Sequence, residues 1–514
     1  MKQAQWEPIQ HLGIVLDKPP EEVPPDVWTG GQNVSFRDGM TTRTGGWERF
    51  ADPLPVPSPL YAMNVIIGPD SFWLYMTVNK VYVTDGVTHW DLTPVGGLSV
   101  SEAGDWSGCI LNGIPCVNNG SDPPMYWNLS TASKLATLPG WPVGATCRAL
   151  RATKYHLMAL NITEGIQNYP TQVWWSAGAQ AGSLPAEWTP TAANDAGDVV
   201  LGDTPGGIVD GLALRDTFIV YKEFSTYVMQ YVAGQYVFTT RKLFLTTGIQ
   251  ALNCVVEANG LHWLFTGTDV VRHDGQNYVS VVDEKVKRTL VESIEPGKTK
   301  MCCVESRILN QQVWVCIPEA NESWLTKAYI IDITSGAVGI RLLPDIAAVC
   351  RGIVADVGAG NSWNADPNPW SSDVTFWDQQ SYSPTQDSML MVDSANAHLF
   401  AVDTIDTADG QPVHAYVERL GAPLGSFISH KVVTALVPRI EGEPGDLLMI
   451  SMGGQAWFGQ PISWGTPQPF VIGQTVGVSD IVEGRLLSVR FEGTTNSVWK
   501  LYKYSVKYAE IGEL

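Results

Sequence analysis

The chain has 514 residues, of which 45% are hydrophobic and only 16% charged, a balance that supports several buried cores and excludes a disordered protein. Its formal net charge is −20 and its densest basic stretch is only Lys285, Lys287 and Arg288, so it lacks the basic stripe of a protein that grips the DNA backbone. The N-terminus lacks a secretion signal and no apolar run approaches about 18 residues, so we expect no membrane insertion.

The N-terminal residues 1–50 are predicted to form an extended arm. Pro19, Pro20, Pro24 and Pro25 cannot enter a helix or a central strand, because proline has no amide hydrogen and a fixed φ. Such a segment is semi-rigid and gains order by lying against another surface. A plain linker is the alternative.

Residues 51–415 are predicted to form short strands joined by tight turns. Asp-Gly pairs, which supply the positive φ of tight hairpins, occur at positions 38, 85, 210, 274 and 409. Strand pairs recur at intervals of about 40–50 residues, which is typical of propeller blades. We therefore predict an all-β fold with an irregular β-propeller of six or seven blades, interrupted by long loops at 178–204 and 355–385. A set of β-sandwiches is the alternative.

The second long loop contains three tryptophans, Trp363, Trp370 and Trp377. Exposed aromatic side chains anchor protein interfaces or stack on sugars. We take these three residues as a candidate interface. Packing of the loop on its own blade and sugar binding are the alternatives.

The residues that separate the strand-like runs change after residue 415. Residues 416–514 alternate apolar and polar positions, as a half-buried sheet does, and glycine-rich acidic turns separate the runs. This pattern predicts a separate C-terminal antiparallel β-domain.

The motifs that could carry chemistry are weak. The sequence 84–90 resembles the Asp box of sialidase propellers, but its spacing differs, which favours an ordinary hairpin turn. Asp403, Asp406 and Asp409 are spaced by three residues, whereas a calcium loop spaces its ligands by two, so turn chemistry explains them better than a cation. His262 and His273 lie on neighbouring strands and are predicted to be a surface pair. We assign no catalytic residue, cofactor or metal ligand.

The eight cysteines form no Cys-x-x-Cys pair, and most of them lie in apolar strand-like sequence. They are expected to be reduced core residues of a protein made in a cytosol. They occupy positions 109, 116, 147, 254, 302, 303, 316 and 350.

Four groups of short segments occur in a common order along the chain. They are Asn33-Val34-Ser35-Phe36-Arg37-Asp38-Gly39 with Arg43-Thr44-Gly45-Gly46-Trp47; a block over 173–248 that contains Val173-Trp174-Trp175-Ser176, Glu187-Trp188-Thr189-Pro190, Ile208-Val209-Asp210-Gly211 and Phe218-Ile219-Val220-Tyr221-Lys222-Glu223; His262-Trp263-Leu264-Phe265 with Val270-Val271-Arg272-His273-Asp274-Gly275; and Tyr416-Val417-Glu418-Arg419 with Lys431-Val432-Val433. This pattern resembles the nozzle proteins of short-tailed bacteriophages, also called tail tubular protein B or packaged-DNA stabilisation protein.

The resemblance implies a structural virion protein of the tail, made in the host cytoplasm, and not an enzyme. It implies a homo-hexameric ring that binds a tail adaptor ring and abuts tail fibres or a plug. The ring would retain packaged double-stranded DNA and conduct it during ejection. Because the chain is acidic, we expect a neutral to acidic lumen without specific DNA binding. The arm is then expected at an interface with another subunit or with the adaptor.

The principal alternative function is a glycan-binding or glycan-cleaving β-propeller protein. A scaffold propeller without nearby nucleic acid is a third. The mass in solution separates them, because a hexameric ring has six times the 56.1 kDa of the chain.

Overall fold

The computed structural model describes residues 2–8, 12–51, 53–232, 237–354, 387–493 and 495–512. Within these ranges the chain is almost entirely antiparallel β-structure. One short α-helix, α1, spans Lys287–Glu292, and two 3-10 turns span Pro296–Met301 and Ile308–Asn310. In the described part, no helix is long and apolar enough to cross a membrane.

Five strands precede the propeller body. They are β1 Lys2–Trp6, β2 Gly30–Gln32, β3 Val34–Arg37, β4 Met40–Arg43 and β5 Trp47–Phe50.

Six groups of four consecutive strands follow. The first three groups are β6 Pro59–Ile67, β7 Asp70–Thr77, β8 Val81–Thr84 and β9 His89–Asp91; β10 Ser107–Leu111, β11 Ile114–Asn118, β12 Met125–Tyr126 and β13 Ala136–Thr137; and β14 Ala145–Thr153, β15 His156–Glu164, β16 Gln167–Trp175 and β17 Gly197–Val200. The next three are β18 Ile208–Leu214, β19 Thr217–Lys222, β20 Thr226–Tyr231 and β21 Phe238–Phe244; β22 Val255–Ala258, β23 Leu261–Phe265, β24 Val270–His273 and β25 Tyr278–Ser280; and β26 Cys303–Arg307, β27 Gln312–Ile317, β28 Leu325–Asp332 and β29 Val338–Ile353.

A seventh group closes the ring of sheets. The first half of β29 pairs with β28 and its second half pairs with β30, which spans Asp387–Asp393. Strand β31, His398–Val402, follows, and β5 from the N-terminal segment completes the sheet. The second half of β29 also lies beside β6 of the first group. The described residues therefore form a seven-bladed β-propeller, at the upper end of the range predicted from the sequence.

The remaining strands build a two-layered domain after the propeller. They are β32 Thr407–Ala408 and β33 Gln411–Pro412, which extend the last blade, and then β34 Ala415–Ala422, β35 His430–Glu441, β36 Leu447–Gln455, β37 Ser463–Trp464, β38 Gln468–Val471, β39 Val482–Gly484, β40 Leu486–Gly493 and β41 Lys500–Gly512. One layer contains β3, β4, β41, β35 and β39, with β1 beside β41. The other contains β2, β34, β40 and β36, with β37 and β38 beside β36.

The N-terminal segment lies against surfaces of its own chain. It is extended, but its strands pair inside its own chain: β1 and β4 with β41, β2 with β34, and β5 with β31. Ile14 and Trp28 are fully buried, because the segment carries apolar residues of its own into the core of the C-terminal domain. The first 50 residues therefore belong to both the C-terminal domain and the last blade.

Buried arginines fix this segment to the rest of the chain. Arg419 donates from Nη1 to the carbonyl of Pro20 at 2.6 Å and from Nη2 to that of Val23 at 2.7 Å, which places the proline-rich stretch against β34. Arg341 on β29 donates to the carbonyls of Gly45 and Gly46 at 3.1 Å each. A buried carbonyl needs a hydrogen-bond donor, and the two guanidinium groups supply one to each of these carbonyls.

Candidate functional site

The first strands of the blades surround a cavity on the axis of the propeller. Its volume is about 280 Å³ and its walls come from six of the seven blades. The side chains that carry its chemistry are Tyr61, Arg151, Asp210, Asn253, Glu305 and Arg351. This cavity, with charged side chains set in a partly apolar wall at the axis, is the candidate site of the molecule.

The deepest charged group of the cavity wall is an ion pair between neighbouring blades. Arg151 on β14 donates from Nε and Nη2 to the two carboxylate oxygens of Asp210 on β18, at 2.8 and 2.7 Å. Arg151 Nη2 also donates to Asn253 Oδ1, and the amide of Asn253 donates to Asp210. Since bidentate pairing compensates both buried charges, this group holds three blades together and leaves no free charge for a ligand.

Glu305 on β26 is another carboxyl group of the cavity wall, and Arg351 is the nearby cation whose charge acts on it. In the described part of the chain, no lysine, arginine or histidine nitrogen lies within 4.0 Å of its oxygens, while the amide of Ser306 donates to Oε1 at 2.9 Å. Burial raises the pKa of Glu305 to about 7, because a desolvated carboxylate is disfavoured relative to its neutral form. The group can therefore hold or release a proton near neutral pH.

A second ion pair lies at the edge of the cavity wall, where Arg351 is a lining residue. Arg351 on β29 donates from Nε and Nη2 to Asp387 at the start of β30, the Nη2 bond being 2.6 Å. Asp387 and Ile353 also line a more apolar pocket of about 690 Å³ with Ile66 and Ile110. Arg151 and Arg351 are thus each paired with an aspartate. Among the described residues, the two glutamates of the cavity wall, Glu257 and Glu305, form no ion pair.

The two histidines are buried and joined, which corrects the predicted surface pair. Tyr221 Oη lies 2.7 Å from His262 Nδ1 and 2.6 Å from His273 Nε2, and His262 Nε2 donates to the carbonyl of Ala213. Burial lowers the pKa of His262 to about 3 and that of His273 to about 4. The sequence could not show this, because the tyrosine that joins them comes from the neighbouring blade.

The three aspartates of the 403–409 segment do not converge on a common point. Asp403 accepts from Arg341 at 2.7 Å and from Arg307, whereas Asp409 accepts from Arg49. The guanidinium groups lower the pKa of Asp403 against the effect of its burial. In the described residues, no group of three or more histidine, cysteine, aspartate or glutamate side chains could hold a metal ion.

The other sequence motifs have structural roles or lie elsewhere. The Asp85 carboxylate accepts from the amides of Val87 and Thr88, as in an ordinary turn between β8 and β9. Lys285 donates to the carbonyl of Gly336 and Lys287 to Asp269, so the short basic stretch is engaged locally. The candidate interface residues Trp363, Trp370 and Trp377, in the loop 355–385, lie outside the described residues. Seven of the eight cysteines are buried, and Cys109 is half-buried.

Sequence reasoning identified Asp210 only as part of a motif and missed Arg151, Glu305 and Arg351. A signal was present, since each of these charged residues interrupts an apolar strand-like run, and ionised side chains are rarely buried without a purpose. What the sequence could not show is which blades lie next to one another on the axis.

Comparisons with known proteins show no family for the chain. No family model matches the chain, and no curated protein matches it. Among solved structures, YCF48 bound to D1 peptide is 13% identical, with a TM-score of 0.37, and the match covers 70% of this chain and 95% of that chain. An exo-beta-1,3-galactanase from Phanerochaete chrysosporium with galactose is 10% identical, with a TM-score of 0.28 and coverage of 90% and 100%. The extracellular domain of a one component system from B. thetaiotaomicron is 8% identical, with a TM-score of 0.41 and coverage of 90% and 62%.

Proposed function

We propose that the chain is a structural subunit of a phage tail nozzle, which assembles into a hexameric ring that retains packaged DNA and conducts it during ejection. The proposal rests on the resemblance of its ordered sequence segments to the nozzle family. The observation that supports it is where those segments lie in the fold.

Residues of the resembling segments sit at junctions between structural units. Asn33 donates to the carbonyl of His414 and accepts from the amide of Leu342, so it links the N-terminal segment to the C-terminal domain and to β29. Asp210 joins three blades through Arg151 and Asn253. Sequence segments whose residues form contacts between structural units are expected in a protein whose function depends on its shape.

Gly46 lies at one such contact, between the N-terminal segment and the strand β32. A Cβ atom at this position would lie 1.8 Å from the carbonyl oxygen of Thr407, so only glycine lets the N-terminal segment pass this close to the last blade. Such a constraint preserves the connection between propeller and C-terminal domain. It does not by itself provide a reaction or a ligand.

The experiment is to measure the assembly and its place in the particle. Light scattering of the purified chain under assembling conditions should give six times 56.1 kDa, and electron microscopy should show a ring with a central opening. Particles made without the protein should package DNA and then lose it. A chain that stays monomeric with and without the adaptor, or particles that keep their DNA without it, would contradict the proposal.

The glycan alternative is tested with the same preparation. A glycan-active propeller would bind or cleave oligosaccharides as a single chain, and Glu305 in the axial cavity is the carboxyl group that would be needed. Wild type and Glu305→Gln should both show no change on a panel of host-surface glycans. Cleavage that Glu305→Gln abolishes would replace the structural proposal with an enzymatic one.

A further inference from the structure

Two pairs of cysteines lie directly opposite each other across the first two strands of a blade. Cys109 on β10 is in register with Cys116 on β11, and Cys303 on β26 is in register with Cys316 on β27. Residues directly opposite in an antiparallel ladder point to the same face of the sheet, with Cβ atoms about 4.5–5.5 Å apart. Each pair therefore brings two thiols close together.

The turn between β10 and β11 fixes the spacing of the first pair. Asn112 and Gly113 have φ angles of 53° and 81°, as in a two-residue hairpin turn of type I′. The residues that flank such a turn form a hydrogen-bonded pair, and every second pair outward is of the same kind, which includes Cys109 and Cys116. The Cα atoms of such a pair are about 5.5 Å apart, inside the range of about 4.4–6.8 Å over which disulfides form. A disulfide here needs only small movements of the backbone.

The two thiols of this first pair interact and differ in access. A hydrogen bond with the Cys109 thiol raises the pKa of Cys116 well above its ordinary value, and burial adds to this effect. Cys116 is fully buried. All eight cysteines lie in the described part of the chain, and Cys109 is the one among them that is not buried. An external oxidant therefore meets Cys109 first, with Cys116 directly behind it as a second thiol.

The second pair has the same kind of register but different surroundings. Cys303 is 7% exposed and Cys316 is fully buried, and Cys303 lines the axial cavity of about 280 Å³. Pockets for drug-sized molecules begin at about 300 Å³, so this cavity is too small for an oxidant built from two tripeptides. The second pair therefore provides a comparison in which the register is retained and access is lost.

We propose that Cys109 and Cys116 are a modification site, which closes to a reversible disulfide when the chain meets a low-molecular-weight disulfide oxidant. The Cys109 thiolate attacks one sulfur of the oxidant, which forms a mixed disulfide and releases one thiolate. Cys116 then loses its proton and attacks the Cys109 sulfur, which closes the protein disulfide and releases the second thiolate. The two cysteines lose two electrons to the oxidant, and their two protons end on the two released thiols.

The disulfide would hold the first hairpin of this blade closed. Strands β10 and β11 have five residues each, so a covalent link across them joins the strand nearest the axis to the next one outward. Thiols stay reduced in a cytosol, and disulfides persist in oxidising surroundings. The site would therefore report the passage of the chain from one to the other. The inference goes beyond the proposed function and does not depend on it.

The experiment treats the reduced full-length chain with oxidised glutathione and reads each cysteine by mass spectrometry. After an acid quench, free thiols are blocked with one alkylating reagent in denaturant, disulfides are reduced, and the released thiols receive a second reagent. Wild type should carry the second reagent on Cys109 and Cys116, with no glutathione in the mass of the intact chain. Cys303 and Cys316 should oxidise at least about tenfold more slowly. Dithiothreitol should return all four thiols to the free form.

Single variants separate the roles of the two thiols. Cys116→Ser removes the second thiol, so Cys109 should keep one glutathione as a mixed disulfide, seen as added mass in the intact chain. Cys109→Ser removes the accessible thiol, so Cys116 should stay free. Cys303→Ser is the matched control, because it breaks a pair of the same kind in another blade. Oxidation of Cys109 and Cys116 should proceed in it as in wild type.

Three results would overturn the proposal. The first is a wild-type Cys109 that stays free, or that keeps glutathione without closing on Cys116. The second is a link between Cys109 and Cys147, whose side chain lies in the same hydrophobic cluster. The third is equal oxidation rates for the two pairs, which would show that access to the folded chain does not select the site. The isolated chain is used throughout, so the outcome is separate from ring assembly and DNA retention.

Discussion

The propeller and the C-terminal domain are both antiparallel β-structures, but they are assembled from the chain in opposite ways. Six blades consist of strands that are consecutive in sequence. The C-terminal domain instead combines strands from both ends of the chain, as where Ala4 pairs with Tyr508 and Gly31 with Val417. A blade can therefore form from local contacts, whereas the C-terminal domain must wait until distant segments meet.

This difference also separates the ways in which the two regions are held together. Across the propeller axis, charged groups such as Arg151 and Asp210 connect neighbouring blades. At the junction with the C-terminal domain, Arg341, Arg419 and Arg43 reach across to backbone carbonyls of other segments. The first arrangement reinforces contacts that are already local. The second arrangement holds together segments that are distant in sequence.

The largest expected effect comes from removing the N-terminal segment. A chain that starts at residue 31 lacks β1 and the buried side chains of Ile14 and Trp28. Loss of one buried tryptophan alone costs about 3–5 kcal/mol, so the C-terminal domain should unfold while the propeller, still closed by β5, stays folded. Calorimetry should show one transition lost, and limited proteolysis should remove residues 416–514 first.

A chain that starts at residue 8 is the matched control for this truncation. It lacks only β1, whose pairing is confined to one edge of β41, so its C-terminal domain should stay folded with a lower midpoint. A protease-resistant C-terminal domain in the chain that starts at residue 31 would show that the segment is an accessory arm after all.

The next effect concerns the junction at Asp403. Asp403→Ala leaves Arg307 and Arg341 buried without their shared carboxylate, and breaking a buried pair costs about 3–5 kcal/mol. Thr404→Ala, at an exposed position in the same loop, should change the free energy of unfolding by no more than about 0.5 kcal/mol. Urea denaturation followed by tryptophan fluorescence compares the two variants, and equal losses would mean that the loop and not the ion pair matters.

How much the sequence could reveal follows the same division. The hairpins and the propeller were predictable, because they depend on neighbouring residues such as Asp85 and Gly86. The Asp-Gly pair at position 210 was wrongly predicted as a turn, since it lies inside β18. The role of residues 1–50 was not predictable, because nothing near Trp28 in sequence indicates that it packs against Phe491 and Tyr504. The candidate site falls between these cases: Asp210 and His262 were noted, but their partners Arg151 and Tyr221 lie on other strands or blades.

A smaller effect is expected inside the propeller at Tyr221. Tyr221→Phe leaves buried nitrogen atoms of His262 and His273 without a partner, which should cost about 2 kcal/mol at pH 8. Both histidines have folded-state pKa values, about 3 and 4, that lie below the ordinary value. The contribution of the two neutral histidines to the free energy of unfolding is therefore present above pH 6.5 and is lost as the pH falls toward 4. Tyr278→Phe, at an exposed position, is the control, and thermal unfolding from pH 8 to pH 4 is the measurement.

The smallest effect is expected at Glu305. Its contribution to stability changes with pH in the opposite direction to that of the histidines, over nearly the same pH range. Its folded-state pKa of about 7 lies above the ordinary value, so between about pH 4.5 and 7 the folded protein holds a proton that the unfolded chain has released. Stability from this group is greatest at the acid end of that range and decreases as the pH rises through 7. Glu305→Gln keeps the acceptor for the Ser306 amide but cannot ionise. A full shift from about 4.5 to about 7 corresponds to about 3 kcal/mol, and screening by solvent reduces this for a side chain that is only half-buried. The variant should therefore match wild type near pH 4.5 and exceed it by on the order of 1 kcal/mol at pH 8. Glu257→Gln, at an exposed position on the wall of the same cavity, should show no such gain. If Glu305→Gln were less stable than wild type at pH 8, the ionised carboxylate would have to be the favoured form in the folded protein, compensated by a cation of the cavity wall such as Arg351.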